Sequence, residues 1–153
     1  MDRADVELYE KHSDELIRFA AVLVGPAAAE DVLAEAVLRA CASPGWPEVA
    51  DRRAYLFRSV LNQARQQRRS DQRRQLREEQ VAADRVVVPD ISGVRAEVLA
   101  AMRRLTHLQR AVVFFTYWQD LEATEVAALL HVSSRTVERH LAIARRRLEV
   151  LLR

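Results

Sequence analysis

Arg135, Arg139 and Arg146 fall on one side of the segment TEVAALLHVSSRTVERHLAIARRRL, residues Thr124–Leu148. Val137, Leu141, Ala144 and Leu148 recur at i, i+4, i+7 and i+11 on the other side. A buried stripe backed by guanidinium groups is what a helix needs to sit on a core and face phosphate or a base edge. Ahead of it, Val126, Ala127, Leu129 and Leu130 form a second short apolar helix, and His131-Val132-Ser133 supplies a tight turn. That pattern predicts a helix-turn-helix. Ser133 or Ser134 caps the second helix and leaves its first N–H groups facing outward. A solvated, charged bundle surface would show the same spacing, so the rest of the chain has to decide.

A second constellation lies upstream. Tyr55, Arg58, Asn62, Arg65 and Arg69 are spaced i, i+3, i+7, i+10 and i+14, one continuous helix face, flanked by Gln66, Arg68 and Arg73. An aromatic ring, an amide and several guanidiniums on one stripe can stack bases and hold a phosphate backbone. No comparable set exists for catalysis. His12, His107, His131 and His140 have no metal-ligand spacing, and no nucleophile–base pair can be nominated. The reading is therefore a binding protein and not an enzyme, with no catalytic residue, no metal and no cofactor. The single Cys41 cannot form an internal disulfide and reads as a small buried residue.

Charge supports division of labour. Residues 1–51 carry net −7, residues 52–77 net +8, residues 78–99 net −3 and residues 100–153 net +4, within an overall +2. All but one of the 24 basic residues are arginine, the side chain suited to forked contacts with phosphate and guanine. An acidic head followed by two basic segments predicts separate partners for separate surfaces. The opening MDRADVELYEKH has no apolar signal core, and no apolar run approaches the ~20 residues that span a bilayer. The expectation is a cytoplasmic protein without membrane insertion.

The elements that must position these residues are helical. Only three glycines are present, and Ala, Leu, Arg and Glu dominate. A first helix is predicted from Asp5 to Val24, with Leu8, His12, Phe19 and Leu23 near one face and His12 a structural histidine. Gly25-Pro26 stops it. A second helix runs from Ala27 to Ala42 with Leu33, Ala36, Val37 and Ala40 as its core stripe. The loop SPGWPEV, Ser43–Val49, leaves Trp46 unshielded, placed to cup an extruded base or to pack inward. A third helix starts near Asp51 and passes Arg69, burying Phe57, Val60, Leu61 and Ala64. Periodicity fades over residues 78–93, read as a linker in which Val86–Val88 could form a short strand. Four more helices follow: Val94–Leu105, one capped by the Thr106-x-x-Gln109 box and reaching Trp118, Glu122–Leu130, and Ser134 to the C-terminus. The fold class is all-α: two small helical domains, residues 1–77 and 94–153, joined by the linker, the second containing the helix-turn-helix.

Three stretches, AEDVLAEAVLRA (Ala29–Ala40), RRAYLFRSVLNQARQQRR (Arg52–Arg69) and the segment Leu105–Leu148, in this order and spacing, resemble a bacterial sigma factor of the extracytoplasmic-function group. The resemblance covers nearly the whole chain outside the linker. It implies two helical domains, regions two and four, that bind core RNA polymerase and direct it to promoter DNA. It implies polymerase contact by Asp31, Glu35 and Arg39; Asp31, Glu35 and Leu38, at i, i+4 and i+7, share an exposed face. It places Tyr55, Asn62 and Arg65 at the minus-ten element, to which the shared helix face adds Arg58 and Arg69, and Arg135, Thr136 and Arg139 at the minus-thirty-five element, to which the helix start adds Ser134. It also implies an anti-sigma protein as a partner. The chain departs from the family pattern at Ala34, where glutamine is usual, and at His131, where the turn has glycine. Glu138 and His140 stand where basic residues are common, and Ile143 replaces a frequent arginine. Two other readings stay open on the residues alone: a helix-turn-helix regulator that works without polymerase, and an adaptor for polymerase or an inhibitor that reads no DNA.

Overall fold

A computed structural model describes residues 1–75 and 95–153; the predicted linker and the Val86–Val88 strand lie outside the described residues. Among those described, every regular element is helical. In chain order they are α1 (Arg3–Val24), α2 (Pro26–Ala42), a 3-10 turn at Trp46–Glu48, α3 (Arg52–Gln75), α4 (Ala96–Met102), α5 (His107–Tyr117), α6 (Ala123–Leu130) and α7 (Ser134–Leu151). The helix boundaries follow local capping. The Asp2 carboxylate accepts from the Asp5 N–H and Asp5 reciprocates, which starts α1 two residues before the predicted Asp5. Gly25, at φ 84°, closes α1, and Pro26 opens α2 at once. The Asp51 carboxylate accepts from the Ala54 N–H at 3.0 Å and begins α3. The predicted Thr106–Gln109 box caps α5, and the Ser133 hydroxyl caps α7 through the Thr136 N–H.

Helices α1–α3 form one lobe and α4–α7 the other, and their apolar interiors are continuous. Phe19 of α1, Phe57 of α3 and Phe114 and Phe115 of α5 are all fully buried, with ring centroids 5.0–6.3 Å apart. Most of these pairs meet tilted or edge-on, the arrangement the ring quadrupoles favour. The predicted stripes of α2 and α3 are buried as expected. In α7, Val137 and Ala144 are buried while Leu141 and Leu148 are half-covered. Cys41 is also only half-buried, and burial together with the nearby Asp5 carboxylate pushes its thiol up. His12 is held by Glu15, 2.7 Å from its Nδ1, which accounts for a polar residue near an apolar face.

Arg110 joins the lobes. It is 9 % exposed and donates to the backbone carbonyls of Met102 (2.6 Å), Arg103 (2.8 Å) and Leu23. Leu23 lies in the last turn of α1, where carbonyls have no intrahelical partner, and Met102 and Arg103 end α4. The guanidinium thus satisfies helix ends instead of a carboxylate. Burial, then Arg68 and Arg103, lowers its pKa to about 10, so it stays charged at neutral pH.

The turn of the helix-turn-helix holds one strained residue. His131 ends α6 in the left-handed region, φ 56° and ψ 44°, where a Cβ crowds the following carbonyl. Replacing it by glycine, His131→Gly, should stabilise the fold by about 1 kcal/mol. A rise in the urea midpoint at unchanged slope checks this; a fall would mean that the imidazole makes a compensating contact.

Candidate nucleic-acid interface

The stripe on α3 divides into two parts. Asn62, Arg65 and Arg69 are exposed, while Tyr55 and Arg58 are half-buried. The Tyr55 ring meets Trp46 edge-on at 5.7 Å, and the Arg58 guanidinium lies 5.8 Å from the Tyr55 centroid. Arg58 Nη1 also donates to the Leu129 carbonyl of α6 at 2.9 Å.

Trp46 is not the unshielded loop residue that the sequence suggested. It is 4 % exposed, its indole N–H donates to Asp5 Oδ1 at 2.8 Å, and the Arg52 guanidinium covers its face at 4.9 Å. The indole packs inward because a buried carboxylate waits for its N–H, so it cannot cup an extruded base. The same hydrogen bond is the main cause holding the Asp5 carboxyl below the usual carboxylate range. Asp5 and Trp46 together anchor the loop that leads into α3.

On α7 the side chains of Arg135 and Arg139 are exposed. With Thr136, Ser133 and Glu138 they line one shallow concavity; Ser134 does not line it. The Thr136 hydroxyl lies 2.8 Å from Ser133 Oγ, so it completes the helix cap as well as facing outward. The α2 face carries Asp31, Glu35, Leu38 and Arg39, all exposed, with Leu38 at 58 %. Glu35 accepts from Arg39 Nε at 2.9 Å, and Arg39 Nη1 reaches Gln66 of α3 at 2.7 Å. An exposed leucine ringed by ionic groups is the composition of a protein-docking patch with a polar rim.

The sigma-70 region 2 family model matches residues 8–74, and the sigma-70 region 4 model matches residues 95–148. A protein named RNA polymerase sigma-E factor, from Streptomyces antibioticus, is 32 % identical over 94 % of this chain and 83 % of its own length. The chain belongs to the sigma-70 family of RNA polymerase sigma factors. The ECF RNA polymerase sigma factor SigL of Mycobacterium tuberculosis is 31 % identical, over 95 % of this chain and 86 % of that protein. In three dimensions the sigma factor RpoE of Bartonella quintana, solved with the anti-sigma factor NepR, superposes with a TM-score of 0.78. It covers 99 % of this chain and 98 % of its own at 21 % identity, a likeness of fold. As a member of the family, this sigma factor works with core RNA polymerase and promoter DNA. Among the described residues, no helix is long and apolar enough to cross a membrane.

Two residues of this sigma factor escaped the sequence reading. Arg110 immediately precedes the apolar run AVVFF, and its place one helical turn before Phe114, on the buried face, is the signal that could have flagged it. His107, 7 % exposed, lines a concavity with Arg65, Arg68, Arg69, Thr106 and Leu108. Burial first, then Arg110, Arg68 and Arg65, lowers its pKa from 6.5 to about 4. The sign follows from linkage. Between those values the unfolded imidazole takes a proton that the folded one refuses, so acidification favours unfolding. Stability should fall by up to about 3 kcal/mol as pH drops through this window. Urea melts at pH 7 and pH 5 test it: the difference should shrink in His107→Leu, and an unchanged pH slope in that variant would contradict the assignment.

Proposed function

We propose that the three faces divide the work of initiation. Asp31, Glu35, Leu38 and Arg39 on α2 dock on core polymerase. Tyr55, Arg58, Asn62, Arg65 and Arg69 on α3 open and hold the minus-ten element. Arg135, Thr136 and Arg139 on α7, with Ser134 at its first turn, read the minus-thirty-five duplex. In this reading residues 1–77 and 94–153 are the two functional units and residues 78–93 join them. The protein acts in the cytoplasm by binding alone, and an anti-sigma protein is its expected restraint. The observation that carries the proposal is the exposure of two separate arginine faces, on α3 and α7, apart from the acidic and apolar α2 face. One surface cannot hold polymerase, the minus-ten element and the minus-thirty-five duplex at once, so three contacts need three faces.

The α7 assignment makes a separable prediction. If Arg139 reaches a base edge, Arg139→Ala should lose roughly 1–3 kcal/mol on the preferred duplex and relax preference at one position. Contact with phosphate alone would weaken all duplexes alike and flatten the salt dependence. Fluorescence anisotropy over a salt series, with duplexes varied one position at a time, distinguishes these. Wild-type affinity and salt slope in the variant would remove Arg139 from the interface.

A further inference from the structure

The concavity around His107 is lined by groups that neither polymerase docking nor duplex reading uses. Thr106, His107 and Leu108, the N-cap and first two residues of α5, form one wall. Arg65, Arg68 and Arg69 of α3 form the other, and all three are exposed. None of these arginines pairs with a carboxylate among the described residues. The cavity measures about 300 Å³, at the lower end of the range for small-molecule sites. Donors on the α5 side are also unspent. The Thr106–Gln109 box occupies the N–H groups of Thr106 and Gln109. The N–H groups of His107 and Leu108 belong to the first turn, which has no intrahelical acceptor, and no other backbone acceptor meets them among the described residues. The His107 imidazole is 7 % exposed, lines the pocket and has no hydrogen-bond partner among the described residues. A buried polar ring open only toward a pocket is a donor for what enters it. The charges acting on that ring are Arg110 of α5 and Arg68 and Arg65 of α3, all positive. Three guanidiniums and the positive end of a helix facing one volume select an anion.

The geometry also decides the class of anion. Guanidiniums approach from α3, and the imidazole and two backbone N–H groups from α5, so the donors converge instead of tracking along a groove. A nucleic-acid strand spreads one charge per phosphate along its length. An oligophosphate puts several charges and many acceptor oxygens into one such volume, and arginine binds them in forked pairs. Leu108 is the one apolar side chain among the lining residues, so phosphates and not a base carry the recognition. We propose that this pocket binds a free oligophosphate group, of the pyrophosphate or nucleoside-polyphosphate class, between the α5 N-terminus and Arg65, Arg68 and Arg69, and that this ligand competes with the promoter strand for Arg65 and Arg69. The site stands on its own geometry; the competition rests on the assignment of the α3 face made above.

Inorganic pyrophosphate is the probe, titrated calorimetrically into the full chain at constant ionic strength without divalent metal. One saturable site is expected. Arg68→Ala and His107→Phe should each weaken it about tenfold, the loss of one hydrogen bond to a charged group. Arg146→Ala removes an equal charge from an exposed position on α7 and should leave it unchanged. The His107 and Leu108 amides should shift first in nitrogen–proton correlation spectra. No saturable binding, or equal weakening by all three substitutions, would overturn the site. A dinucleotide whose only phosphate is a diester should bind about tenfold more weakly than pyrophosphate, having a single charge. Equal affinity would make the pocket a stretch of the strand's own track and overturn the proposal. A nucleoside diphosphate tells the two sources apart: tighter binding names a nucleotide as the ligand, equal binding the phosphates alone. Pyrophosphate should also displace a fluorescent, mixed-sequence single-stranded oligonucleotide from the chain, and displacement from His107→Phe should need about tenfold more of it. A strand that stays bound at saturating pyrophosphate would overturn the competition. A chain that binds pyrophosphate but no single strand would overturn the α3 assignment, and the competition with it, while the site stands.

Discussion

A chain carrying both Arg65→Ala and Arg69→Ala should bind core polymerase normally and leave a linear promoter closed. Both side chains are exposed on α3, and neither is paired with a carboxylate among the described residues. Truncating them should therefore change fold stability by no more than about 0.5 kcal/mol. The expected damage lies in the open complex. Unstacking a base costs a few kcal/mol, and the protein must offset it by stacking and by holding the freed backbone. Removing two phosphate-holding guanidiniums should withdraw roughly 2–3 kcal/mol of that offset, a loss of opening of about 30- to 160-fold. Permanganate reactivity of minus-ten thymines reads this directly. A pre-melted bubble should rescue the double variant at least partly, since the opening cost is already met. Normal opening of linear DNA by the variant would reduce this stripe to a solvated helix surface.

The second large effect is expected on α2. Leu38→Asp should weaken association with core polymerase by about 2 kcal/mol or more, because a buried apolar anchor carries most of the energy of such a contact. Glu35→Arg should weaken it less, as a rim charge does, although it also sets two cations together by turning the Glu35–Arg39 pair into a repulsion. That pair is exposed and contributes little to folding, so helicity should be unchanged in both variants. Competition against labelled wild-type chain for core polymerase gives the affinities. Equal competition by Leu38→Asp would remove the α2 face from the interface.

Much of this was legible from spacing. The helix stripes follow from the 3.6-residue period, and the Thr106–Gln109 and Ser133 caps follow from local hydrogen bonding over three residues. Both signals are local, so a linear reading recovers them. The failures are long-range. Trp46 turns inward because of Asp5, 41 positions away, and no local pattern around SPGWPEV announces that partner. Arg58 meets Leu129 across 71 positions and Arg110 meets Leu23 across 87, so the continuity of the two lobes could not be read from either half alone. Periodicity tells which face of a helix is apolar; it does not tell which other helix will cover it. The shared exposed face of Asp31, Glu35 and Leu38 was legible from their spacing, and the structure shows all three exposed. The Arg39–Gln66 tie between α2 and α3 came from the structure.

The division of labour is tested most directly by reconstituted initiation. Purified core polymerase, with and without the chain, would transcribe a library of genomic fragments, and the transcript 5′ ends would be sequenced. A new set of start sites that depends on the chain is expected, preceded at fixed spacing by two shared sequence elements. The Arg65→Ala, Arg69→Ala chain should fail at these sites unless they are pre-melted. Start sites identical to those of core polymerase alone, or chain-dependent sites used equally well by the double variant on linear DNA, would contradict it.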